Sequence, residues 1–364
     1  MHDFLLKELD NSDLINELNS IGFDRCYVDK IVNKFEYKNI KIYNLTTPQA
    51  IILKQTALSL GADCATHRET ITGKIEKTDV ILGGSISQLN KIADKLKLQP
   101  FGLKELGEKL SKPYKKNKKT QIVGILNLTK DSFSDGYYEL EEAINHLDEL
   151  KEADIVELGA ESTRPGYTPV SAEDQLKKIL PLLEYMNNKY IISIDTQDSY
   201  VAEECLKRGV QIINDISGFD HDSNMPAVIA KYNAKIVIQH SKDITSNQNT
   251  YIDEIYIDLK NKINLATEHG IKKENIIIDV GIGFGKTREQ NFGIINRIKE
   301  FYSLDCPLMV GISRKSLLNM QNKDNNTKDI YTLALNTLLI DKKVDYIRVH
   351  NVKFHRDLIT MLNI

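Results

Sequence analysis

The chain reads as a TIM (β/α)8 barrel preceded by a small α/β N-terminal domain. Three observations predict this. Eight short apolar runs recur after residue 120, amphipathic stretches with helical spacing separate most of them, and a lysine-rich segment sets off everything before them. A doubly wound open sheet would show the same alternation, but eight strand–helix units over roughly 250 residues favour the closed barrel.

Bulk properties agree with an ordinary folded protein of two domains. The 364 residues are 41% hydrophobic and 27% charged, enough for a sizeable core. A net charge of -3 and a pI near 6.3 argue against a surface built for nucleic acid. No apolar run approaches membrane-spanning length, and the opening MHDFLLKELD carries acids where a secretory leader has a basic start, so a cytoplasmic location is expected. Cys26, Cys64, Cys205 and Cys306 form no CxxC pair and read as reduced thiols. Cys64 and His67 give a C-x-x-H, but two candidate ligands do not close a zinc site.

Residues 1–110 form the accessory domain in this reading. A strand is expected over 40–45, then a helix capped by Thr47, with Pro48 at its first position and Gly61 as its stop. DVILGG (79–84) reads as a second strand, followed by a helix from about Ser87. Gly83, Gly84 and Ser85 at that turn either offer amides to a phosphate or make a tight connection. SKPYKKNKKT (111–120), with five lysines and a proline, buries nothing and reads as a linker.

The barrel domain spans 121–364. Its strands are expected at 122–126, 154–158, 191–194, 211–213, 235–238, 275–278, 308–312 and 345–349, with helices such as AEDQLKKILPLLEYM and DLKNKINLATEH between them. Barrel active sites assemble at the C-terminal ends of the strands, which gives weight to the residues just past each run. Those ends carry Asn127; Thr163 and Arg164; Asp195; Asn214 and Asp215; His240; Asp279; Arg314 and Lys315; and Arg348 with His350. One buried ionisable group is usually a structural ion pair. Polar groups ending all eight strands would be desolvated without benefit unless they meet a ligand.

The groups also sort by chemistry. Arg164, Arg314, Lys315, Arg348 and His350 are cations suited to phosphate oxygens, while Asp195, Asn214 and Asp279 offer acceptors to the N–H groups of a heterocycle. Gly281, Gly283 and Gly285 would let backbone approach a flat ligand; GIGFG lacks the dinucleotide spacing. One pocket is therefore expected to hold a nitrogen heterocycle deep inside and an anion near the rim.

GILNLTKDSFSDG, ESTRPG, SIDT, NDISG, DVGIGFGK, GISRKS and RVH resemble, in order, the signature segments of the dihydropteroate synthase family, over about residues 121–364. The resemblance implies a transferase of folate biosynthesis. Such enzymes condense 4-aminobenzoate with 6-hydroxymethyl-7,8-dihydropterin diphosphate, with Mg2+, to give 7,8-dihydropteroate and pyrophosphate, and sulfonamides compete at the aminobenzoate position. It further implies that Asp195, Asn214, Asp279 and Lys315 hold the pterin and that Asn127 is the magnesium ligand. Thr163 and Arg164, with Arg348 and His350, then grip substrate and its phosphates; Phe133, Pro165, Phe284 and Ser316 wall the aminobenzoate slot; Ser134 and Asp135 belong to a mobile first loop. Asn127, Lys315, Arg348 and His350 are the expected catalytic set, in a homodimer.

The chain departs from the family pattern at Lys130, Tyr137, Gln239, Val280 and Asn351, all in loops or beside site residues. The alternative is a pterin-binding methyltransferase acting on methyltetrahydrofolate, which has no need of the cation cluster or of SRKS. A further reading makes residues 1–110 a binding or assembly module.

Overall fold

The computed structural model describes residues 7, 9, 14–111, 119–128, 138–160, 170–186, 189–246, 250–318 and 324–362. The chain divides into two compact units, Met1–Pro113 and Tyr114–Ile364.

The first unit holds a three-stranded antiparallel sheet of β1 (Tyr37–Thr46), β2 (Asp63–Thr66) and β3 (Lys77–Ser85), in the order β1-β3-β2. Helices Thr47–Leu58, Ile86–Leu96 and Leu103–Leu110 join its core, where Leu53, Leu82, Ile92 and Leu96 are fully buried. The first of these helices is capped one residue earlier than the sequence suggests. Thr46 is extended at ψ 154° and its N–H donates to Gln49 Oε1 at 2.8 Å, whereas the Thr47 hydroxyl donates to the Ile75 carbonyl. Gly83 and Gly84 pair in the ladder opposite Asn39 and Lys38, and a Cβ on Gly83 would lie 2.6 Å from the Tyr37 hydroxyl. The two glycines thus lie within β3 and not in a turn, and close packing accounts for Gly83. Cys64 is buried, and His67 Nδ1 accepts the Glu69 N–H at 3.2 Å, as a helix cap.

In the second unit eight parallel strands close into a barrel: β4 (Gln121–Asn127), β5 (Ile155–Gly159), β6 (Ile192–Asp195), β7 (Ile212–Asp215), β8 (Lys235–Gln239), β9 (Ile276–Asp279), β10 (Leu308–Gly311) and β11 (Tyr346–Val349). Each lies within two residues of its expected run. Closure is made by β11 pairing with β4, with Tyr346 beside Gln121 and Val349 beside Gly124.

Side chains on a strand alternate between faces, so each barrel strand contributes two sets. One set, including Ile122, Leu126, Val156, Leu158, Ile194, Ile213, Ile278, Val310 and Ile347, packs outward in the large core shared with the helices. The other set starts with Val123, Ile155, Ile212, Val237, Ile277, Met309 and Tyr346, which form their own cluster inside the barrel. This inner plug floors the cavity. Whatever lies two residues further along each strand must therefore sit directly above it.

Gly124 faces outward, where a Cβ would come within 2.9 Å of Val352 Cγ2 and 3.1 Å of Leu150 Cδ2. We expect Gly124→Ala to destabilise the barrel by about 1–3 kcal/mol through overpacking, read as a lowered urea midpoint with unchanged m-value.

Candidate active site

Two residues up from Ile155, Ile212, Val237, Ile277 and Tyr346 of the plug stand Glu157, Asn214, Gln239, Asp279 and Arg348, and Asp195 stands two up from Ser193 of β6, so that a polar layer lies above the apolar one. Register holds it together: Gly159 pairs with Asp195, Asp195 with Asn214, Gln239 with Asp279, and Gly311 with Arg348. Asp195, Asn214, Asp279 and Arg348 were expected on sequence grounds and are gathered here. Asp215, the outward neighbour of Asn214, instead accepts from the Ser217 and Phe219 N–H groups at 2.9 and 2.8 Å and staples the following turn.

Arg348 crosses the barrel interior. Its Nη2 donates to Asp195 Oδ2 at 2.9 Å and its Nε to Glu157 Oε1, while Ser193 Oγ donates to Glu157 Oε2 at 3.1 Å. Burial works against the arginine's charge, but the Glu157 and Asp195 carboxylates outweigh it and hold its pKa above the usual value. Burial pushes Asp195 up to about 7; Arg348 opposes this and Glu157 adds to it. Asp279 is likewise raised by burial, against the pull of Lys315 and of the Gly281 N–H, which donates to its Oδ1 at 2.7 Å.

Lys315 completes the group from beyond β10. Its Nζ donates to the Ile282 carbonyl at 2.5 Å and lies 4.4 Å from the centre of the Phe284 ring; burial lowers its pKa to about 8, with Asp279 resisting. Lys315 and Arg348 both approach Gly311, where a Cβ would lie 3.8 Å from Lys315 Nζ and 3.5 Å from Arg348 Cδ. Asn127 reaches the same region: a Cβ on Gly159 would lie 3.5 Å from its Oδ1 and 3.6 Å from the Asp195 Cβ. His350 Nδ1 is 2.8 Å from Ser313 Oγ. Asn214 Oδ1 is buried and has no hydrogen-bond partner among the described residues, an acceptor that a ligand N–H would satisfy.

The expected cations divide. Arg314 is bound by both Nε and Nη2 to Asp329, each at 2.8 Å, so it forms a structural pair instead of facing a phosphate. His240 is packed under Lys286, whose Nζ lies 3.1 Å from His240 Nδ1 and donates to the His240 and Phe284 carbonyls. Burial, then Lys286, lowers His240 to about 4, and burial lowers Lys286 to about 7. The three loop glycines also serve internal contacts: Gly281 is at φ +68°, and a Cβ there would lie 1.8 Å from the His240 carbonyl oxygen, while those of Gly283 and Gly285 would meet Lys315 and Asp243.

Phe133, Ser134, Asp135, Thr163, Arg164 and Pro165 lie outside the described residues, as does the side chain of Ser316. Glu157, Ser193, Ser313 and Lys286 are positions that sequence reasoning passed over, and Gln239, noted there only as a departure from the family pattern, is also in the layer. For Glu157 the available signal was its spacing of two from Ile155 in an otherwise apolar strand.

Asp195 ties stability to pH. An unfolded aspartate releases its proton near pH 4, the folded one near 7, so its contribution to stability is present in acid and lost as pH rises through that window. Asp195→Asn should flatten this slope and raise thermal stability at pH 8 relative to pH 5, compared with the parent, when the two melting curves are overlaid.

The chain is similar to known proteins. The family model described as pterin binding enzyme matches residues 123–350. A dihydropteroate synthase of Clostridium beijerinckii is 40% identical, covering 66% of this chain and 93% of its own. A bifunctional dihydropteroate synthase/dihydropteroate reductase of Helicobacter pylori is 32% identical over 98% of this chain and 97% of that one. Among solved structures, a Clostridium difficile dihydropteroate synthase determined with pteroic acid superposes with a TM-score of 0.64 at 38% identity, covering 69% of this chain and 97% of that chain. The matched span begins at Val123 within β4 and ends at His350, so it runs through all eight barrel strands and takes in the polar layer; the chain belongs to the dihydropteroate synthase family of pterin-binding enzymes.

Proposed function

We infer that the chain condenses 4-aminobenzoate with 6-hydroxymethyl-7,8-dihydropterin diphosphate. The amine nitrogen bonds to the pterin methylene carbon, the C–O bond to the diphosphate breaks, the amine loses a proton, and 7,8-dihydropteroate and pyrophosphate leave. The observation carrying this reading is the polar layer itself: buried carboxylates, an unpartnered amide oxygen and two cations above an apolar floor at one barrel mouth.

Breaking the C–O bond leaves positive charge on the methylene and the electron-rich ring. Asp195 and Asp279 bind ring N–H groups and place negative charge beside them, Asn214 Oδ1 accepts a further N–H, and Lys315 donates to a ring acceptor from the Phe284 side. The burial that raises both carboxyls in the free enzyme makes them respond strongly to a ligand that supplies donors. An aromatic amine is neutral and nucleophilic at pH 7, so orientation in a slot beside Phe284 suffices without a general base. His350, held by Ser313, supplies a donor for the departing anion.

The donors present fit Mg2+ that arrives with the diphosphate. Asn127 offers one neutral oxygen, and the described residues contain no group of three or more His, Cys, Asp or Glu placed to hold an ion by themselves. When bound, Mg2+ would neutralise diphosphate charge. In the same reading the enzyme is a cytoplasmic homodimer and sulfonamides compete with 4-aminobenzoate. Among the described residues no helix is long and apolar enough to cross a membrane.

The alignment with the bifunctional Helicobacter pylori protein covers 98% of this chain and so includes the first unit, whereas that with the single-function relative covers 66%. A second activity, reduction of dihydropteroate, follows as a proposal: a hydride and a proton added across the remaining pterin C=N bond, the hydride supplied by a reduced nicotinamide or flavin.

Purified full-length chain with both substrates and Mg2+ is expected to release pyrophosphate and to stop on chelation with EDTA; a folded sample with no turnover rejects the synthase reading. Asn214→Ala should raise the KM for pterin diphosphate about tenfold or more, the worth of one to two buried hydrogen bonds, with little loss of melting temperature because its Oδ1 has no described partner to lose. Anaerobic incubation with dihydropteroate and reduced nicotinamide or flavin tests the second activity, and an unchanged dihydropteroate absorbance rules it out.

A further inference from the structure

We propose that Glu157 is a positioning residue of this active site: it takes the Nε side of the Arg348 guanidinium so that Arg348 binds Asp195 through one oxygen only, leaving the other oxygen for the pterin. The proposal rests on the synthase reading and adds a specific role to a residue that never touches substrate.

Two arginines of the chain use the same edge differently. Arg314 presents its Nε and Nη2 edge to Asp329 and closes on both carboxylate oxygens at 2.8 Å each, the geometry a guanidinium adopts with one carboxylate. Arg348 presents the same edge, yet divides it: Nε goes to Glu157 Oε1 and Nη2 to Asp195 Oδ2. No hydrogen bond engages Asp195 Oδ1 among the described residues. Glu157 is 1% exposed, and its second oxygen accepts from Ser193 Oγ at 3.1 Å, so neither oxygen is available to a ligand. Glu157 thus acts through Arg348. Without it, nothing prevents Arg348 from closing on both oxygens of Asp195 and withdrawing that carboxylate from the site.

Charge supports the same role. The groups acting on Asp195 are Arg348 on β11, Glu157 on β5, Asp215 on β7 and Lys315 beyond β10, with Asp279 on β9 acting on Arg348. Removing the Glu157 charge takes away a like charge and strengthens the arginine contact, and both changes lower the pH at which Asp195 ionises.

The test uses the full chain with Glu157→Leu, Glu157→Gln and Ser193→Ala, measuring pterin diphosphate affinity, the KM for 4-aminobenzoate and the pH profile of kcat/KM. Glu157→Leu is expected to weaken pterin binding about tenfold or more, leave the aminobenzoate KM unchanged, and move the acid limb to lower pH. Glu157→Gln keeps an oxygen for Arg348 Nε and should recover most of the affinity. Ser193→Ala loosens Glu157 without removing it and should weaken pterin binding a few-fold, which keeps the test decisive should the leucine variant fail to fold. The proposal is overturned if Glu157→Leu retains parental affinity and acid limb, if glutamine rescues nothing, or if Ser193→Ala binds pterin as the parent does. Absence of turnover in the parent would instead reject the synthase reading.

Discussion

A single guanidinium shared by two buried carboxylates organises the active mouth of this barrel. Arg348 belongs to the last strand of the barrel, Glu157 to the second and Asp195 to the third, at sequence separations of 191 and 153. They meet because β11 closes on β4 and because each occupies the same inner layer. A buried acid without its cation costs several kcal/mol, so barrel closure and charge pairing depend on each other. The pairing contributes little net stability for the same reason, since desolvation of both partners offsets most of the attraction. Its consequence is geometric: one carboxylate is held in place by one oxygen, and no hydrogen bond from a described residue engages the other.

The layer is electrostatically incomplete without a ligand. Burial holds the Asp195 and Asp279 carboxyls above, and the Lys315 amine below, their ordinary pKa values, against the mutual attraction of acids and cations. In the proposed reaction a flat heterocycle rich in N–H donors would supply what the acids lack, while its anionic tail would be drawn toward the cations and the rim. Binding and chemistry then draw on the same arrangement. In that reaction, charges fixed above a floor of Ile, Val, Met and Tyr side chains would need little reorganisation when the leaving group departs.

The barrel was largely legible in the sequence. Strand positions follow from runs of Ile, Val and Leu buried on both faces, and the site follows from the polar residues that interrupt those runs. Period two also separates neighbours that composition treats alike, setting Asn214 inward and Asp215 into a turn. Arg314 and Arg348 show the limit. Both belong to strand ends and both are arginines, but Arg314 sits at φ +57° and turns to Asp329, 15 residues ahead, a contact that no local pattern announces. The first unit was harder for a related reason. β2 has only four residues, one of them buried, too few for alternation to register, and its pairing with β3 is set by packing across the sheet.

Sequence alone determined the alternation of strands and helices, the number of barrel strands and the identity of most polar groups at their ends, because these are local consequences of side-chain periodicity. Tertiary structure decided which cations face the cavity, which oxygen of Asp195 remains open, and that Glu157 belongs to the site at all. Those outcomes depend on distances between strands far apart in the chain, and only closure of the barrel brings them within hydrogen-bonding reach.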